Sequence, residues 1–187
     1  MNYLPASRRS SETLWEVDYT DRLSVAVGAY ASGKMIGCAR LVQPLGAETA
    51  TSEVIRELIL QRDDRILKAN FEFPFRMQHP FDLLQSFPTF QAYYHELVMR
   101  RVRKAELSRV IVLPEYRRHG IAEVLVDHVA SLAVRMQLQR LFLACAALNA
   151  PLYSRCGFRI LPGMQTEHFV NVDAPAIAME RVLEAAA

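Results

Sequence analysis

"LPEYRRHGIA", Leu113 to Ala122, is the stretch that organises everything around it. Pro114 closes the apolar run before it, because proline supplies no backbone N–H, and an apolar helical pattern begins at Ile121. Between them stand Arg117, Arg118, His119 and Gly120. The first N–H groups of a helix have no intrahelical partner, and the macrodipole adds partial positive charge there, so an anion fits. Gly120, without a Cβ, lets a phosphate come close to the backbone, and Arg117, Arg118 and His119 can add donors around it. A diphosphate is the natural guest. For such a loop taken alone, the alternative is a solvated basic turn.

Working outward, "AELSRVIVL" (105–113) reads as a strand, and Ile121, Leu125, Val129, Leu132 and Met136 mark one stripe of a helix. Beyond it come a strand, "RLFLACA", a short helix near "APLYSRC", and strand candidates "FRIL", "HFVNV" and "AIAMERVL". Toward the N-terminus, "SVAVGAYA" (24–31) and "MIGCARLV" (35–42) form a hairpin turned by "SGK". From Gln43 to Lys104 the character changes. Val54, Ile55, Leu58 and Ile59 share a helical face in "TSEVIRELILQRDD", a stretch rich in proline and phenylalanine follows, and a helix is expected through "QAYYHELVMRRVRK". No repeat, low-complexity tract or linker interrupts the chain, so residues 1–187 are expected to form one domain.

Composition narrows the functions available. With 187 residues, 51% hydrophobic and 22% charged, the chain can bury a sizeable core. A net charge of +2 is too small to indicate a nucleic-acid partner. Cys38, Cys145 and Cys156 lack metal-ligand pairing and sit in apolar strings, as reduced cysteines do. The start of the sequence lacks a signal-peptide core, and no run approaches a membrane span, so a cytoplasmic location is expected. The five histidines show no ligand spacing, and His95 and His128 fall in helical patterns; no catalytic metal is expected.

"VIVLPEYRRHGIA" resembles the acyl-CoA loop of the GNAT acyltransferases, matched at Arg117, Gly120 and Ala122, and "LYSRCGF" is similar to their Leu-Tyr-x-x-x-Gly-Phe signature at Leu152, Tyr153, Gly157 and Phe158. The resemblance implies an α/β (α+β) fold: a GNAT-like mixed, mostly antiparallel central sheet flanked by helices, here with a helical insert at about 47–104. It also implies a cofactor-binding segment from Ile111, Val112 and Leu113 through Arg117, Arg118, His119 and Gly120 to Ile121 and Ala122. An asparagine common seven residues before the tyrosine is replaced by Ala146.

A narrower resemblance follows. Glu106 and Arg109 in "AELSR", Arg40 in "GCARLV", and Glu16, Asp18 and Asp21 in "EVDYTD" resemble, in the same order, segments of acyl-homoserine-lactone synthases and of the related long-chain N-acyl amino acid synthases. Those families join a fatty acyl group, usually from acyl carrier protein, to the amine of an amino acid or derivative. Only fifteen residues precede Glu16, 65 separate Arg40 from Glu106, and the "RRHGIA" loop is intact, all of which favours the N-acyl amino acid synthase branch over the lactone branch.

Amide formation from a thioester needs a neutral amine, a stabilised oxyanion and a proton for the departing thiolate. Glu106 is the candidate base. For a peptide-like α-amine with pKa about 8, reaching the neutral form at pH 7 costs about 1.4 kcal/mol, within reach of a carboxylate. A salt bridge from Glu106 to Arg109 or Arg40 is the structural alternative. By resemblance Tyr153 protonates the thiolate; a core tyrosine with a satisfied hydroxyl is its alternative. A backbone N–H at a bulge near Ile111 to Leu113 would meet the oxyanion. Arg40 and Arg109 are candidates for gripping a substrate carboxylate through paired hydrogen bonds, or else for pairing with Glu16, Asp18 or Asp21. "RRVRK" (100–104), with Arg117 and Arg118, could face an acidic carrier protein, though charge runs are usually solvated surface. Phe71, Phe73, Phe75, Phe81, Phe87 and Phe90 could wall an acyl pocket or form plain core.

The resulting expectation is an N-acyltransferase that takes a long acyl group from a phosphopantetheine thioester, on acyl carrier protein or coenzyme A, to the amine of a small-molecule substrate, an amino acid or derivative. Its rivals are an acetyl-CoA-dependent N-acetyltransferase and a non-catalytic acyl-CoA sensor.

Overall fold

The computed structural model describes residues 24–43, 81–166 and 175–184. Six strands make one sheet in the order β1-β2-β3-β4-β6-β5: β1 (Ser24–Ala31), β2 (Lys34–Val42), β3 (Lys104–Val112), β4 (Arg140–Ala146), β5 (Arg159–Thr166) and β6 (Ala176–Val182). Every neighbouring pair is antiparallel except β3 with β4. This is the mixed, mostly antiparallel GNAT-like sheet the motifs imply.

The hairpin between β1 and β2 turns on Ser32 (φ 48°) and Gly33 (φ 78°). Two left-handed residues in a two-residue loop match the twist of the flanking strands. The parallel pair needs a crossover, supplied by α3 (Ile121–Arg135) after the loop that opened the sequence analysis. Its stripe is buried at Leu125 and Val129 and partly buried at Ile121, Leu132 and Met136. That face packs on one side of the sheet against Ala39, Leu41, Ala105, Leu107, Leu141 and Leu143.

The opposite side is covered by two helices, α1 (Leu83–Ser86) and α2 (Pro88–Met99). Pro88 opens α2, where the missing N–H costs nothing. The expected helix at 91–104 therefore starts earlier and stops before Lys104, which already belongs to β3. Phe81, Phe87 and Phe90 are closed core here, with Phe90 edge-on to Phe142 at 5.2 Å between ring centroids. Burying each such ring stabilises by roughly 1.5–3 kcal/mol. Of the insert, the helix expected at 51–64 and Phe71, Phe73 and Phe75 lie outside the described residues, as do Glu16, Asp18, Asp21 and the strand candidate "HFVNV". "FRIL" extends into the longer β5. Among the described residues, no helix is long and apolar enough to cross a membrane.

Candidate active site

The site begins where two strands part. The β3–β4 ladder pairs Lys104 with Arg140, Ala105 with Leu141 and Glu106 with Phe142, and ends there, although β3 continues to Val112 and β4 to Ala146. Among the described residues, β3 past Glu106 is paired only on its β2 side. That pairing is interrupted in turn: between Cys38/Ile111 and Arg40/Ser108, β3 carries one residue more than β2. The extra residue belongs to a bulge at Arg109, whose φ of 54° is left-handed. A non-glycine residue held there costs on the order of 1–3 kcal/mol, so its surroundings must enforce it. The bulge thus lies upstream of the position expected from the motif. Gly37 sits opposite Val112, where an added Cβ would come within 2.9 Å of the Ile111 carbonyl oxygen.

The bulge decides which backbone groups are available. Leu113 donates its N–H to the Ile36 carbonyl, so it is occupied by β2. By alternation along the strand, Val112 faces the opposite way, toward the gap left by β4. On that side its carbonyl accepts a hydrogen bond from Arg117 Nε at 3.0 Å. Of Ile111, Val112 and Leu113, the Val112 N–H is the one aimed at the opening.

Strand alternation puts Lys104, Glu106 and Ser108 on the α1–α2 side. Glu106 is 3% exposed, and its Oε2 accepts the Leu83 N–H at 3.4 Å. The N–H of Asp82 also bonds the Glu106 carboxyl. Burial pushes the Glu106 carboxyl well above its ordinary 4.5, and the neighbouring Asp82 charge adds to this, while the two N–H bonds and Arg40 oppose it. Burial and Asp82 win. Arg40 is itself buried and donates from Nε to Ser108 Oγ at 2.9 Å. Sequence reasoning placed Glu106 and Arg40 but missed Asp82, because nothing before the fold connects position 82 to β3.

Downstream, the loop forms a short 3-10 turn, Pro114–Tyr116, then exposed Arg117, Arg118 (φ 64°) and His119. Arg117 is partly committed to Val112, and His119 Nδ1 lies 2.8 Å from the Arg117 carbonyl. Gly120 starts α3 at φ 75° with open space around the place of a Cβ, so the requirement for glycine there is conformational. No side chain of the residue before the helix caps α3. Glu123 bonds its own N–H and Arg155, so at the helix start it is Ile121 and Ala122 that stand as the candidate positions for an anion.

The second motif is a capping device. Tyr153 lies half-buried on α4 (Ala150–Arg155). The helix ends on Gly157 at φ 80°, Gly157 N–H bonds the Ser154 carbonyl, and Phe158 N–H reaches back to the Tyr153 carbonyl. Phe158 is buried and holds the Tyr153 ring edge-on at 6.2 Å. The Gly-Phe pair therefore fixes the tyrosine.

Arg109 is half-buried at the bulge, and burial lowers its pKa. "RRVRK" does not form one basic surface: Arg100 pairs with Glu96, Arg103 bonds Gln137 and the Met136 carbonyl, and Lys104 is buried over the Tyr94 ring at 4.5 Å. Among the described residues, no group of three His, Cys, Asp or Glu could hold a metal ion.

Residues 83–158 match the acetyltransferase (GNAT) family. Among solved structures, FeeM, an N-acyl amino acid synthase from uncultured soil microbes, is similar at 16% identity and a TM-score of 0.53, over 86% of this chain and 72% of that one. An IAA acetyltransferase from Bacillus cereus is similar at 15% identity and 0.50, over 88% and 81%. A Bacillus subtilis acetyltransferase in complex with CoA is similar at 11% identity and 0.50, over 87% and 79%. No curated protein matches by sequence.

Proposed function

We propose that this chain, a GNAT-type N-acyltransferase by its fold and its family match over residues 83–158, moves a long acyl group from a phosphopantetheine thioester to the amine of an amino acid or close derivative. One observation carries the reading. A buried carboxyl, Glu106, stands at the last paired position of β3 and β4, and the same strand runs on through the gap to a basic loop and an uncapped helix start.

The diphosphate of coenzyme A, or the phosphate of a carrier-bound phosphopantetheine, rests at Ile121 and Ala122 with Arg118 and His119 beside it. The thioester arm follows β3, and its carbonyl oxygen meets the Val112 N–H. Glu106 takes a proton from the substrate ammonium; a base whose pKa is raised toward the working pH is matched to that task. The amine nitrogen then bonds the carbonyl carbon, the C–S bond breaks, the Tyr153 hydroxyl gives its proton to the thiolate, and the second proton, which the nitrogen sheds on becoming an amide, returns the tyrosinate to the phenol. Arg40 and Arg109 are placed to grip the substrate's carboxylate. Likeness to an N-acyl amino acid synthase supports the amino acid amine; the intact phosphate loop is compatible with either donor.

Mass spectrometry of lipid extracts from a bacterium overexpressing the chain tests this. Accumulated N-acyl amino acids, lost with Glu106→Gln, are expected. Acetylated amines without any long-chain product would turn the assignment to an acetyltransferase. No turnover with acyl-CoA or loaded carrier protein would leave an acyl-thioester sensor.

A further inference from the structure

Strand pairing sets Gly28 of β1 opposite Cys38 of β2, and Cys38 opposite Ile111 of β3, so the three form one row across the sheet. Their neighbours along the strands, Val27, Ala29, Ala39, Val110 and Val112, pack with α3. By alternation the row faces the other side, the side of Arg40 and Glu106. It carries no charge, and Ile111 is 48% exposed. Gly28 has a particular reason to be glycine. A Cβ there would come within 2.8 Å of the Tyr30 ring and 3.3 Å of its hydroxyl, so the ring lies back along β1 over Gly28, on the same face. Tyr30 is nevertheless 66% exposed. The result is a floor of small and apolar side chains, about 9.5 Å long from β3 to β1, with an aromatic ring at its outer end.

We propose that this row, with Tyr30 at its end, receives the side chain of the amine substrate, and that the acceptor is an amino acid whose side chain is apolar. The inference rests on the reaction proposed above. There the thioester oxygen meets the Val112 N–H, which points into the gap, so the carbonyl carbon and its acyl chain lie on the β4 side of β3. The row runs the other way, from β3 across β2 to β1. It is therefore out of line for the acyl chain. The amine instead comes to the carbon from the face that carries Glu106. Arg40, proposed to grip the substrate's carboxylate, stands between two rows of that face. The row of Val42 and Glu106 is sealed, at 2% and 3% exposure. Among the described residues, the open direction from Arg40 is the row of Cys38 and Ile111. An uncharged floor offers a charged side chain no partner for the water it would lose, whereas an aromatic ring favours an apolar one.

The test is competition between acceptors. The enzyme is given palmitoyl or octanoyl thioester, on CoA or carrier protein, with an equimolar mixture of alanine, leucine, phenylalanine, aspartate and lysine, and products are counted by mass spectrometry. Leucine or phenylalanine should exceed alanine by about tenfold or more. Tyr30→Ala should cut that preference about tenfold by raising KM for the apolar acceptors, while the ratio of palmitoyl to octanoyl transfer stays as in the parent. A ring that served the fold alone would leave both ratios unchanged. Gly28→Ala should act in the same way with the ring still present, because its methyl displaces the ring, and should add nothing in the Tyr30→Ala background. Circular dichroism checks each fold, and Tyr30→Leu replaces a variant that unfolds. A folded Tyr30 variant that keeps the parent's acceptor preference overturns the inference, as does a parent that prefers charged acceptors. A change in donor-length preference alone also overturns it, giving the row to the acyl chain. In all three cases the proposed reaction stands. A parent that acylates no amino acid with any donor removes the reaction itself, and the inference falls with it.

Discussion

Glu106→Gln should make the folded protein more stable, and increasingly so as pH rises. The carboxyl is buried and its pKa is raised well above the ordinary 4.5, chiefly by burial and then by Asp82. Between the unfolded and folded pKa values the native state holds a proton that the unfolded chain has released. The stability associated with that proton is fully present below about 4.5 and is lost as pH rises through the folded value. The slope inside the window reaches about 1.4 kcal/mol per pH unit, which for a domain of this size is about 3–5 °C in Tm. Glutamine matches the protonated carboxyl in shape and never ionises, so it removes the slope. Urea unfolding of parent and variant at pH 5, 6, 7 and 8 reads it, and comparing the two proteins cancels the pH dependence of groups they share. A difference that is constant across pH, or that favours the parent more at pH 8 than at pH 5, would refute the burial and charge account of Glu106.

Three further outcomes are expected. Gly120→Ala should destabilise by about 1–2 kcal/mol through its positive φ alone, since no atom stands where the methyl would go, and should raise KM for the thioester donor; denaturant melts and donor titrations check both. Tyr153→Phe keeps the ring on Phe158, so Tm should hold while kcat falls tenfold or more, read by steady-state kinetics with the product followed by mass spectrometry. Gly37→Ala forces a methyl to 2.9 Å from the Ile111 carbonyl beside the bulge and should cost about 1–3 kcal/mol, measured by thermal unfolding.

Much of this architecture was legible because local chemistry and global fold agree. The β1 and β4 boundaries follow from composition and turn residues, and the α3 stripe matches its buried face. "LYSRCGF" was readable as a motif, and its physical content is a helix cap in which Gly157 supplies a left-handed residue and Phe158 braces Tyr153. The bulge was less legible. Left-handed backbone is ordinarily announced by glycine, but here it falls on Arg109, so the sequence carries no mark of it. Asp82 was invisible for a different reason: its meeting with Glu106 spans 24 positions of chain and depends on how α1 lies on the sheet.

A buried carboxyl beside a second carboxyl makes poor sense as a contribution to stability, since the fold weakens as Glu106 ionises. Evolution of a core for stability alone would put a leucine at 106, as it does at 107 on the other face, where α3 covers an apolar row. The same corner also carries the end of the β3–β4 ladder and, three residues on, a left-handed arginine. Costs of three physical kinds, desolvation, lost strand pairing and backbone strain, fall within a few residues of one strand. Such costs persist where they hold reacting groups in place, and here they converge on the gap that receives the thioester in the proposed reaction.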